Sequence, residues 1–85
     1  MYHVYLLKSK KDDSFYVGYT NDIQRRLKEH NDGLSTYTRS RRPWKLVYYE
    51  TFVSFQDAIL REKRLKKFGK AFGQLKLRIK LSLNI

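Results

Sequence analysis

Cysteine is missing from all 85 residues, so disulfides and thiolate–metal sites are excluded outright. Apolar runs extend only a few residues, far short of the roughly 20 needed to span a bilayer. The opening segment Met1-Tyr2-His3-Val4-Tyr5-Leu6-Leu7 lacks the basic n-region, long apolar stretch and small-residue cleavage site of a secretory signal. A cytoplasmic protein with no membrane association is therefore expected. Acids are scarce, with 8 Asp and Glu against 19 Lys and Arg, a formal charge of +11. Such a surplus attracts polyanions, and nucleic acid is the commonest one inside a cell. Charge by itself does not separate DNA from RNA, or an enzyme from a ribosomal or merely basic protein.

What is present argues for a folded domain. Apolar residues make up 41% of the chain and aromatics 15%, too rich for a disordered basic tail. The length allows one domain, residues 1–85 with a core over about 2–80. Residues 2–7 and Phe15 to Tyr19 read as two strands joined by the polar turn Lys8 to Ser14, a hairpin at the edge of a small antiparallel sheet. Asn21 and Gln24 resemble a capping box, with a helix from Asp22 to His30 stopped by Asp32-Gly33. Gly33 to Pro43 is a loop. Trp44 to Phe52 is a third strand, and Ser54 with Asp57 caps a helix starting at Phe55. That helix has an apolar line through Ala58, Leu65 and Phe68, to be interrupted at Gly69 or Gly73. Leu75, Leu77, Ile79, Leu81 and Leu83 alternate as a strand would, yet Leu75, Ile79 and Leu83 also form a helical stripe; the good helix formers around them favour helix. The fold class is α/β, a three-stranded antiparallel sheet with helices on it.

Three placements stand out. Residues 61–80 hold nine bases and one acid, Glu62, on the apolar line of its helix. A carboxylate there is either an internal ion pair, with Arg26 or a nearby lysine, or a ligand for one hard divalent cation such as magnesium. Arg26 and His30 are one helical turn apart and lie within about 60° of Ile23 on the face that packs on the sheet. Arg26 is then either a solvated helix residue or a planar fork for phosphate, and His30 either a packed ring or an acid–base group. Tyr5 and Tyr16 occupy corresponding places in the hairpin; as core aromatics they pack, and with electrostatic help a tyrosine hydroxyl can act as a base. Gly18 suits a close approach that a side chain would block. Arg39, Arg41, Arg42 and Lys45 form one basic patch, and Lys63, Lys66, Lys67 and Lys70 belong to a second, both suited to phosphate contacts. Trp44 and Tyr37 would stack on a splayed base if exposed, and Trp44 is otherwise a core aromatic.

The ordered set Val4-Tyr5, Tyr16-Val17-Gly18, Thr20, Arg26, His30, Tyr37 to Trp44, Tyr48-Tyr49-Glu50 and Arg61-Glu62-Lys63 resembles the GIY-YIG nuclease family, specifically its small standalone bacterial members. His3-Val4-Tyr5 stands where the family has its literal GIY, and YVG where it has YIG. The resemblance implies a three-stranded antiparallel sheet flanked by helices and hydrolysis of DNA phosphodiester bonds by water, in repair or processing. It implies Tyr5 as general base, aided by Tyr16 or His30, Arg26 on the scissile phosphate, and Glu62 holding one magnesium or manganese ion. Some relatives place an asparagine about where Gln74 stands. Against this DNA endonuclease, structure-selective or weakly sequence-specific, stand a DNA-binding or repair-accessory protein with little turnover and an RNA-associated structural protein. A protein partner supplying specificity is a further expectation, and the oligomeric state is left open.

Overall fold

The computed structural model describes residues 1–84. Three strands, β1 (Tyr2–Ser9), β2 (Phe15–Thr20) and β3 (Trp44–Phe52), form one antiparallel sheet in the order β2-β1-β3. The hairpin strand β1 is thus central, and only β2 lies at the edge expected for the pair. It also runs two residues beyond the expected Leu7, because Lys8 pairs with Phe15 and Ser9 with Trp44. Ser9 is buried and ties off the turn: its hydroxyl donates to the Arg41 carbonyl (2.7 Å) and accepts from the Lys11 and Asp12 amides. Asp12 closes the other side through the Ser14 amide (3.0 Å).

Alternation along β1 assigns the two cores. Val4 and Leu6 face one side and meet Val17, Ala58, Leu65, Phe72, Leu75 and Ile79. Tyr5 and Leu7 face the other and meet Trp44, with Tyr16, Leu27 and Leu46 packed against them. Helices α2 (Phe55–Lys66) and α3 (Lys70–Arg78) supply the first core, and α1 (Ile23–Asn31) contributes Leu27 to the second.

Helix boundaries follow local chemistry, with two departures from expectation. The α1 cap is Asp22, one residue later than the Asn21 reading. Asp22 is extended (φ −149°, ψ 97°) and its carboxylate accepts from the Arg25 amide (3.1 Å), while the Asn21 side chain is taken by the Arg25 guanidinium. Helix α2 starts at Phe55 as expected, its Ser54 hydroxyl accepting from the Asp57 amide. It ends at Lys66, so Phe68 lies off the helical line. Phe68 has a φ of 51° and is exposed, its ring edge-on to Phe72 at 4.8 Å. Gly69 is the interruption and caps α3, whereas Gly73 lies inside it.

In the C-terminal segment the helical stripe wins. Leu75 and Ile79 are buried and Leu83 packs against the same core, while Leu77 and Leu81 face solvent. The helix stops at Arg78 and a short 3-10 turn covers Ser82–Asn84. The last position of the segment expected to be helical, residue 85, lies outside the described residues.

Candidate active site

Tyr5 and Tyr16 are not direct cross-strand partners. Tyr5 faces Gly18 and Leu7 faces Tyr16, so the tyrosines are diagonal neighbours on one face, ring centroids 6.4 Å apart. Gly18 explains the close approach. A Cβ there would stand 2.4 Å from the Tyr5 hydroxyl oxygen and 2.6 Å from Cζ, so only glycine lets the Tyr5 ring lie across β2.

Helix α1 crosses this face and delivers its two candidates differently. His30 is fully buried behind the tyrosines. Its Nε2 lies 2.8 Å from the Tyr5 hydroxyl and its Nδ1 2.7 Å from Thr38 Oγ1. Its ring is 5.1 Å from that of Tyr16. Arg26, one turn earlier, is half-buried, donates to Glu29 at 3.0 Å and stands beside the Tyr5 hydroxyl. Burial opposes its charge, but Glu29 and Tyr5 more than offset this and raise its pKa.

Glu62 arrives from the opposite side of the sheet, on α2, at the open edge of β2. It is buried, as its place on the apolar line requires, and its ion-pair partner among the described residues is Lys66 at 3.5 Å rather than Arg26. The Lys66 ammonium also lies over the Tyr16 ring, 5.7 Å from its centroid. Tyr5, Tyr16, Arg26, Glu62 and Lys66 together line an open cleft of about 410 Å³ with Gly18 in its floor. His30 is the one member of the expected set that does not line the cleft; it touches two residues that do, Tyr5 by a hydrogen bond and Tyr16 ring edge to face.

Electrostatics sort the roles. Burial pushes the Tyr5 phenol up to about 12; Arg26 opposes the shift, while Tyr16 and Glu62 reinforce it. Burial, then the Arg26 charge, push His30 down to about 4, so the ring is neutral at pH 7. Glu62 fits a cation as a single carboxylate open to the cleft. No group of three or more His, Asp or Glu side chains that could hold a metal occurs among the described residues. An ion here would take one protein oxygen and complete its shell with water and phosphate oxygens, a common arrangement for magnesium.

The basic residues separate by what already holds them. Arg41 donates to Ser14 Oγ (2.9 Å) and the Tyr37 carbonyl (3.3 Å) and caps the Trp44 ring at 4.9 Å, so it braces the loop. Arg42 donates to the Arg39 carbonyl (2.8 Å) and lies against Gly33. Arg39, Lys63, Lys67 and Lys70 are exposed, Lys45 is half-buried, and Lys66 sits in the cleft itself. Trp44 is a core residue, its indole donating to the Thr38 carbonyl (2.8 Å), whereas Tyr37 is exposed. Sequence reading missed Thr38, a fully buried hydroxyl in a polar loop, and Asn31. The Asn31 amide bonds both backbone groups of Trp44 (2.6 and 3.1 Å) and locks the end of α1 to the start of β3. Nothing in a Tyr-Thr-Arg tripeptide marks its threonine for burial.

A small antiparallel sheet carrying two tyrosines, a helix arginine and histidine, and a glutamate from a second helix defines a GIY-YIG-like domain. The GIY-YIG catalytic domain family matches residues 1–75, and the chain belongs to it. Similar proteins carry the name UPF0213. One from Clostridium perfringens is 48% identical over 68 residues, covering 79% of this chain and 72% of that protein. One from Halobacterium salinarum is 44% identical over 72 residues, 84% of this chain and 92% of that protein. The solution NMR structure of a UPF0213 protein from Bacillus halodurans superposes with a TM-score of 0.56 at 36% identity, covering 94% of this chain and 86% of that one. Similar proteins therefore occur in both bacteria and an archaeon.

Proposed function

We propose that the protein is a metal-dependent endonuclease that hydrolyses DNA phosphodiester bonds by attack of water. The observation that carries this reading is the single cleft in which Tyr5, Tyr16, Arg26 and Glu62 converge from four different elements. A glutamate from one face of the sheet thus reaches round an edge strand into the same cleft as an arginine from the other.

In this reading Glu62 holds the magnesium or manganese ion, which when bound supplies a Lewis acid for a phosphoryl oxygen. Arg26, already desolvated and charged, opposes the negative charge that grows on the phosphoryl group. Its ion pair with Glu29 holds the guanidinium at the cleft and is loosened when a phosphate competes for it. Tyr5 accepts the proton of the attacking water. Glu62 is itself one cause of the raised Tyr5 pKa, so neutralising that carboxylate moves Tyr5 toward use as a base. Tyr16 walls the cleft beside it, and Lys66, released from Glu62, adds positive charge at the phosphate.

The test is cleavage of end-labelled duplex, single-stranded, nicked, flapped and branched DNA with magnesium or manganese, alongside Glu62→Ala. Metal-dependent products are expected from the wild type and none from the variant, with DNA affinity largely retained. Equal cleavage by both removes Glu62 from the mechanism. Binding without products throughout supports a DNA-binding accessory role, which the +11 charge also fits.

A further inference from the structure

Thr38 and His30 are both fully buried, so the polar atoms between them must be satisfied within the protein. Among the described residues, the Thr38 hydroxyl has one hydrogen-bond partner, His30 Nδ1, at 2.7 Å. A hydroxyl carries one proton and two lone pairs. Were Nδ1 to carry the ring proton and give it to Thr38, the hydroxyl's own proton would be left in a closed site with no acceptor. The reverse arrangement leaves only idle lone pairs on an oxygen already engaged, and buried donors are orphaned more rarely than acceptors are under-used.

We propose that Thr38 donates its hydroxyl proton to His30 Nδ1 and so fixes the ring in the tautomer that carries its proton on Nε2 and gives it to the Tyr5 oxygen. Thr38 is then a positioning residue, acting on Tyr5 through His30. A neutral ring, as burial and Arg26 dictate at pH 7, has one such proton to place.

The consequence reverses the intuitive direction of a tyrosine–histidine pair. His30 is a hydrogen-bond donor to Tyr5, not the acceptor of its proton. The Tyr5 oxygen receives the ring N–H at 2.8 Å and stands beside the Arg26 guanidinium, and both contacts work against the burial that holds the phenol protonated. Its own O–H points toward the cleft, the side on which a water can take the proton. Once that proton has gone to solvent, the phenolate takes one proton from the attacking water as the water oxygen bonds phosphorus. The bond from phosphorus to the 3′ oxygen breaks, and solvent protonates the leaving oxygen. This catalytic use rests on the nuclease reading, whereas the tautomer rests on the hydrogen bonds alone.

Nitrogen-15 NMR of the histidine rings distinguishes protonated from bare ring nitrogens. The sequence has two histidines, and His3→Gln assigns the signals to His30. The wild type is expected to show a bare Nδ1 and a protonated Nε2; a proton on Nδ1 overturns the proposal. Thr38→Val keeps the shape and removes the donor, and the Trp44 bond to the Thr38 carbonyl survives because it is to backbone. In this variant, signal for a protonated Nδ1 is expected to appear, and Thr38→Ser is expected to restore the wild-type pattern. An unchanged tautomer in Thr38→Val overturns the role given to Thr38. Should the valine variant fail to fold, Thr38→Ala, which also removes the donor, is read in the same way, and the wild-type spectrum decides the tautomer. In cleavage, Thr38→Val is expected to lower kcat about tenfold at unchanged DNA affinity, with serine recovering most of it. A wild type that shows the expected tautomer but cuts no DNA overturns the nuclease reading and leaves the tautomer established.

Discussion

His30 concentrates the chemistry of this molecule into one ring. It is fully buried and neutral, with a folded pKa of about 4 against about 6.5 for an exposed histidine. Between those values the unfolded chain takes up a proton that the folded chain refuses. Stability therefore rises with pH across this window and is lost as pH falls from about 6.5 toward 4. A shift of this size corresponds to about 3 kcal/mol. Denaturant melts of the wild type and His30→Gln at pH 7 and pH 4.5 check this. The stability gap between the two proteins is expected to narrow on acidification, because only the wild type has this proton to exclude; a gap independent of pH refutes it. Gly18 is the other residue whose identity is dictated outright, since any Cβ there collides with Tyr5.

At the scale of elements, the site exists because three joints hold. Helix α1 is fastened to β3 by the Asn31 amide, which satisfies the amide and carbonyl of Trp44 together. Helix α2 is fastened to β3 by Arg61, whose guanidinium meets Glu50, itself an acceptor from the Tyr48 hydroxyl. The loop between α1 and β3 is held by Ser9 on the Arg41 carbonyl and by the Arg41 side chain across Trp44. Asn31→Ala leaves two backbone groups without that partner and is expected to cost about 1–3 kcal/mol by denaturant melt. Because the same joint sets the height of His30 under Tyr5, under the proposed nuclease reading the variant is also expected to weaken metal-dependent cleavage. A melt matching the wild type would show that water replaces the amide at no cost.

The whole molecule is a small, strongly basic body with its cleft at one sheet edge. Among the described residues, no helix is long and apolar enough to cross a membrane. Under the nucleic-acid reading the +11 charge makes affinity fall steeply with salt. The basic residues should then divide by how the structure holds them. Lys67→Ala and Lys70→Ala, both at exposed positions, are expected to reduce the slope of log affinity against log salt by up to about one each, with melting unchanged. Arg41→Ala, which loses its grip on Ser14, Tyr37 and Trp44, is expected to lower stability. Salt titrations and thermal melts of the three variants check this division, and a lysine variant with an unchanged slope removes that residue from the interface.

Much of the fold was legible because it rests on short-range patterns. The third strand over Trp44 to Phe52, the Ser54 cap and the Leu75–Ile79–Leu83 stripe are each fixed by a few neighbouring residues, and each is found as read. The shift of the α1 cap from Asn21 to Asp22 shows the limit of that reading, since both side chains can cap and the backbone turn chose between them. Phe68 shows the same limit, its backbone turning left-handed where the pattern continued. The placement of Arg26, His30 and Glu62 on inward faces followed from helical periodicity, and the structure brings all three to the neighbourhood of Tyr5. Their partners did not follow. That Glu62 pairs with Lys66, that Tyr5 lies over Gly18 instead of beside Tyr16, and that Thr38 is buried against His30 depend on register and on how the loop folds back. Periodicity determines which way a side chain faces; only the packed sheet and helices determine what it meets there.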